Sequence, residues 1–176
     1  KGDLDGALAE FSRSRDVLQS VVARKAPDGR VLAVAVDSHN DVGRVLYSLG
    51  RPAEAVPAHE AALKLSGAYE LPGRHALFAR AKSHMFLGRA REALGEFEQT
   101  QGAFEQNLAL ARRLHADFPQ DTELEDYLAI SLNDLGRVLR LLGMHGLRLH
   151  QLLGHGHGLG HVDPQRFRIV ALGAPA

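Results

Sequence analysis

Apolar residues recur along this chain at intervals of three and four, the spacing that keeps them on one face of a helix. From Asp3 to Lys25 the series is Leu4, Ala7, Leu8, Phe11, Leu18, Val21 and Val22. Asp3 can cap this helix, and Asp5 suits the positive end of its dipole. Ala26-Pro27-Asp28-Gly29 predicts a stop. A second helix is predicted over about 30–49, ended by Gly50 as a left-handed cap. A third opens at Pro52, which the first turn tolerates, and carries Ala55, Ala58, Ala62 and Leu65; Pro57 is expected to kink it or loosen its start. After a turn from Ser66 to Gly73, a fourth helix is predicted over about 74–87, ended by Gly88. The fifth covers about 90–116 with a ladder of Ala93, Leu94, Phe97, Phe104, Leu108, Ala111 and Leu114. Asp117 to Asp121 breaks the pattern, and a sixth helix runs over about 122–142 until Gly143 stops it. No stretch alternates with period two. The prediction is all-α, with antiparallel hairpins joined by short loops.

Two of these helices nearly repeat each other. Ser38 to Gly50 reads SHNDVGRVLYSLG and Ser131 to Gly143 reads SLNDLGRVLRLLG, identical at nine of thirteen positions and offset by 93 residues. Repetition of this kind marks stacked supersecondary units that bury their apolar faces on one another. The turns also align. Gly2 to Phe11, Gly50 to His59 and Gly88 to Phe97 each run from a glycine, through a small Ala five residues on, to a ring four beyond that.

This pattern resembles the tetratricopeptide repeat family, whose unit is a pair of antiparallel helices. The resemblance covers about Gly2 to Gly143. It assigns Gly43, Ala81 and Gly136 to the close approach of the two helices, and Gly50, Gly88 and Gly143 to the end of the first. It assigns Ala7, Ala55 and Ala93, with Phe11, His59 and Phe97, to the core of the second. The turn glycines then fall 48, 38 and 55 residues apart, against the usual unit of about 34. Such extended helices resemble arrays in large bacterial proteins, some of them linked to serine/threonine kinase domains. The implied architecture is an α-solenoid of about six helices over residues 1–143, followed by an irregular Gly/His-rich tail over 144–176.

Composition agrees with a helical array. Ala and Leu supply the apolar mass, there is no Trp, and aromatics are 6% of residues. The 21 basic side chains balance 21 acidic ones, so no basic excess advertises nucleic acid or an anionic membrane. The absence of Cys excludes a disulfide framework and thiolate metal sites. No apolar run reaches the roughly 18 residues of a membrane span, and no leader pattern opens the chain. A cytoplasmic location is expected. The missing initiator Met suggests an excerpt of a longer protein.

The polar candidates come from the repeat. Asn40 and Arg44 share a helix face, as do Asn133 and Arg137, and Lys82 aligns with Arg44 in the same frame. In arrays of the family it resembles, first helices line a concave groove. Asn40, Arg44, Lys82, Asn133 and Arg137 are therefore expected to grip a peptide backbone or carboxylate. The alternative is that they solvate a face or pair with Asp41 and Asp134.

Ten histidines are present, five of them between His145 and His161. Clustered imidazoles such as His150, His155, His157 and His161 have affinity for Zn²⁺, Ni²⁺ or Cu²⁺, although a Gly-rich tract with no Cys holds no fixed geometry. The tail also lacks the next unit's signature: Arg148 stands where a small residue is expected. It is read either as an unstructured terminus or as an end out of frame. Catalytic motifs are absent: no H-E-x-x-H, G-x-S-x-G or P-loop pattern occurs. The expectation is a non-catalytic scaffold without cofactor, binding a peptide or partner helix. The alternatives are a sensor module of a kinase-linked protein and metal binding through the tail.

Overall fold

The computed structural model describes residues 2–24, 28–69 and 73–153, with side chains described as far as Gly143. These residues form six helices and no strand: α1 (Leu4–Arg24), α2 (Gly29–Ser48), α3 (Pro52–Gly67), α4 (Arg74–Ala93), α5 (Phe97–Asp117) and α6 (Thr122–Leu153). The described residues are all-helical, as their periodicity predicts. Side-chain caps start several of the helices. Asp3 Oδ1 accepts from the Gly6 amide at 2.7 Å, Asp28 Oδ1 from Arg30 and Val31 at 2.9 and 2.8 Å, and Asp121 Oδ1 from Glu123 at 3.1 Å. Each satisfies amides that the first helical turn leaves without a partner.

Three boundaries depart from the prediction, and all concern glycine. Gly88 does not end α4, which continues to Ala93; the turn falls at Gly95, with φ +77°. Gly143 does not end α6, which continues to Leu153. Only Gly50, with φ +75°, is the left-handed stop expected of it. Ala93 and Phe97 consequently do not belong to a second helix's core: Ala93 closes α4 and Phe97 opens α5. Pro57 sits inside α3, which continues through it.

With the turn moved to Gly95, the unit becomes regular. Gly2, Gly50, Gly95 and Gly143 stand 48, 45 and 48 residues apart. Thr100 and Phe104 take the places that Ala93 and Phe97 were expected to fill, since each lies as far past Gly95 as Ala55 and His59 lie past Gly50. Both are fully buried. A third copy of the motif also emerges at Ser83 to Gly95, SHMFLGRAREALG, so the counterpart of Gly43 is Gly88, and not Ala81.

The glycines inside the helices have a steric cause. A Cβ at Gly43 would lie 2.5 Å from His59 Cε1, and one at Gly88 would lie 2.7 Å from Phe104 Cδ1. Glycine costs a helix interior about 1 kcal/mol relative to Ala; here it lets a ring of the following helix lie against bare backbone. Gly43 and His59 are separated by the same sixteen residues as Gly88 and Phe104.

Each helix packs on the next in sequence, and α2 also packs on α4. The core is correspondingly strung out. One cluster joins Leu32, Val36, Ala62 and Ala79 from α2, α3 and α4. Another joins Val42, Leu46, Ala55 and Ala90, with Leu8 of α1 against it. A third joins Leu77, Met85, Ala111, Leu114, Leu124 and Tyr127 from α4, α5 and α6.

Candidate functional site

The five residues expected to form a groove ladder occupy three different environments. Asn40 is 1% exposed. Its Nδ2 donates to Ser83 Oγ at 2.8 Å, and its Oδ1 lies 3.0 Å from His59 Nδ1. Both ends of the amide are used inside the protein, so Asn40 ties α2, α3 and α4 together and presents nothing to a partner. This corrects its expected place in a groove. The cause is that α3 and α4 close over the α2 face that carries it. Asn133, its counterpart in the repeat, is exposed on α6.

The three cations are matched by carboxylates of the same chain. Arg44 pairs with Asp41 at 3.0 Å and lies over the Phe86 ring, with its guanidinium carbon 5.4 Å from the centroid; its side chain remains 58% exposed. Lys82 bridges from α4 to Asp37 of α2 at 3.0 Å and lies 5.2 Å from the Phe78 centroid. Arg137 holds Asp134 at 3.1 Å and also pairs with Glu92 of α4. The Glu92 carboxylate, ahead of other contributions, raises the Arg137 pKa.

Lys82 is not the counterpart of Arg44; in the corrected register that residue is Arg89. Arg89 donates to Asp134 Oδ2 at 3.0 Å. The two repeat arginines thus reach the same position on the following first-type helix. Arg44 meets Phe86 there through a cation–π contact, and Arg89 meets Asp134 through an ion pair. Arg89, Glu92 and Ser83 are not among the expected residues, because the middle motif copy carries Met85-Phe86 in place of Asn-Asp. The shared Ser, Gly, Arg, Leu and Gly of all three copies is the signal that finds them.

A second buried network mirrors the one around Asn40. Asn107 Nδ2 donates to Ser131 Oγ at 2.9 Å and its Oδ1 accepts from Tyr127 Oη at 2.6 Å. Burial raises the Tyr127 pKa. In the first network, burial, assisted by the nearby Arg44 charge, pushes the His59 pKa down to about 4. Satisfied buried polar groups of this kind fix the register of helices that Ala and Leu alone would hold loosely.

Surface concavity is slight. A depression of about 490 Å³ lies over Phe118, Pro119, Gln120, Asp121 and Thr122; a smaller one lies where the starts of α2 and α4 meet. Among the described residues no group of three or more His, Asp or Glu is placed to hold a metal ion. His155, His157 and His161 lie outside the described residues, and His150 lies in the last turns of α6, where side chains are not described. No helix among the described residues is long and apolar enough to cross a membrane.

No family model and no curated protein matches the chain. Among solved structures it is similar to BtubC (BKLC) from P. vanneervenii, with a TM-score of 0.59 at 15% identity. The match covers 81% of this chain and 51% of that one, so the chain spans about half the length of that protein. At this identity the likeness concerns the fold alone.

Proposed function

We propose that this chain is a segment of an α-solenoid of tetratricopeptide type, serving as a non-catalytic scaffold that docks a peptide or a partner helix. The observation that carries this reading is the recurring junction in which Gly43 meets His59 and Gly88 meets Phe104. Helices joined by one repeated contact extend a surface in one direction, and partners of such arrays bind along it. The surface available is the one across α2, α4 and α6, where Arg44 is the most open of the residues expected to take part and Ile130, in the register of Asp37, is exposed too. Because Arg44, Lys82 and Arg137 each face a carboxylate of their own chain, a partner has to offer more than a negative charge. Apolar contact beside Phe86, Phe78 and Ile130 fits this face better than a purely acidic peptide.

The test is capture of partners, or of an immobilised peptide array, by the wild type and by Arg44→Glu combined with Ile130→Lys. Both positions are exposed enough to keep helicity, which circular dichroism checks. The reading expects capture to fall at least about tenfold, the usual effect of losing a contact worth more than 1 kcal/mol. Unchanged capture by a folded double variant rejects the groove.

A further inference from the structure

The first helices of the units, α2, α4 and α6, meet at two seams that are built differently. At the seam between α2 and α4 the backbones pack on each other. Small residues allow it. Ala79 sits among Leu32, Ala33 and Val36 of α2, and Ala90 beside Val42 and Leu46. Ser83 lies between them along α4, and its Oγ accepts from Asn40 of α2 at 2.8 Å. Both residues of that hydrogen bond are sealed from water.

α6 carries the same serine in a different setting. In the motif register Tyr127, Ser131 and Val138 are the counterparts of Ala79, Ser83 and Ala90. The Tyr127 ring stands edge-on to Phe78 of α4, with centroids 4.9 Å apart. A ring where α4 has a methyl group keeps the backbones apart, and α4 and α6 do not pack along their lengths as α2 and α4 do. The serine changes partner accordingly. Ser131 Oγ accepts from Asn107 Nδ2 of α5, and Tyr127 Oη donates to Oδ1 of the same amide. These buried hydrogen bonds fasten α6 to α5, whereas that of Ser83 fastens α4 to α2.

Charge spans the wider seam. Arg74, at the start of α4, pairs with Asp121 at 2.5 Å and with Glu123, at the start of α6. Arg89 pairs with Asp134 at 3.0 Å, and Glu92 pairs with Arg137. The side chains of Arg74, Arg89 and Arg137 are 23%, 40% and 35% exposed, so dissolved ions reach them. We infer that this seam is a charge-latched hinge, in which α6 pivots on α5, lying close to α4 while the arginine pairs hold and swinging away when salt screens them. The pivot resists screening because the Asn107 bonds are neutral and buried. The seam between α2 and α4 does not follow: the Lys82–Asp37 pair crosses it, but over backbones already packed. Ionic conditions thereby set the angle between the second and third units and leave the first and second fixed.

Distances between paired spin labels test this, since the chain has no cysteine and takes labels at chosen positions. Val34→Cys with Asp126→Cys reports α2 against α6, and Val34→Cys with Ala109→Cys reports α2 against α5; all three positions are exposed. From roughly 0.1 M to 1 M NaCl the Debye length falls from about 10 to about 3 Å. The first distance should lengthen by ~2 Å or more, beyond the ordinary shear of packed helices, while the second stays constant. Arg74→Gln combined with Arg89→Gln should give the longer distance already at the lower salt. Asp134 keeps Arg137 in that variant, so no buried carboxylate is stranded, and circular dichroism establishes that helicity is kept. A first distance unmoved by salt, a second distance that lengthens with it, or a folded double variant that matches the parent chain at the lower salt each overturns the hinge.

Discussion

Asn40 and Asn133 occupy the same place in two nearly identical motifs, yet one is sealed between three helices and the other stands at the surface. Asn40→Ala takes the amide donor from Ser83 Oγ and the hydrogen-bond partner from His59 Nδ1, both of them buried. Stranding buried polar groups costs about 1–3 kcal/mol. Asn133→Ala should change stability by less than about 0.5 kcal/mol, as surface substitutions do. Urea unfolding midpoints of the two variants check the contrast; equal effects would mean that the asymmetry is not real.

The same contrast applies to glycine. Gly88→Ala pushes a methyl group into Phe104 and should destabilise by about 1–3 kcal/mol, outweighing the gain of about 1 kcal/mol in helix propensity. Gly136→Ala meets open space and should stabilise by about 0.4–1 kcal/mol. Thermal melts of the two variants report both.

His59 ties stability to pH. Its folded pKa is lowered to about 4 by burial first and by Arg44 second, against about 6.5 for an unperturbed imidazole. The unfolded chain therefore takes up the proton more readily. Stability from this group is complete above about pH 6.5 and is lost as the pH falls through 6 and 5 towards 4. The loss is on the order of 2–3 kcal/mol. His59→Phe, which installs the ring found at Phe104, should flatten the change in denaturant midpoint between pH 7 and pH 5. An unaltered slope in that variant would assign the effect elsewhere, His84 being the next candidate because burial also lowers its pKa to about 4.

Asp134 is buried and takes ion pairs from Arg89 of α4 and Arg137 of its own helix. Asp134→Asn should cost about 1–3 kcal/mol, since Arg89 loses its charged acceptor and Arg137 keeps only Glu92. Asp41→Asn, whose Arg44 partner is largely exposed, should cost under about 1 kcal/mol. Chemical denaturation at low and moderate salt separates the two, with the Asp134 variant less sensitive to screening.

Much of the fold can be read from periodicity: the helical class, the starts of all but α5, and Gly43 as a point of close approach. The ends of α4 and α6 cannot, because glycine has two uses that look alike in a sequence. At Gly50 and Gly95 it supplies a positive φ, and at Gly88 it makes room for Phe104 from another helix. One glycine alone does not tell these apart; its place in the third motif copy, Ser83 to Gly95, or its three-dimensional partner does. Taking Gly88 as the stop displaced the register by seven residues in the second unit, which put Lys82 where Arg89 belongs. The candidate ladder failed at Asn40 for a related reason. A polar residue on a helix face is solvated or buried according to what packs on that face, and Ser83 and His59 come from other helices.

The helices make extensive contact only with the next helix along the chain, apart from α2 with α4. Order in this chain is therefore lent by neighbours. Among the described residues the middle helices, α2 to α5, are held from both sides, while α1 and α6 are held from one. Amide protons in α3 and α4 should outlast those of α1 and α6 in deuterium exchange, a gradient running from the centre outward.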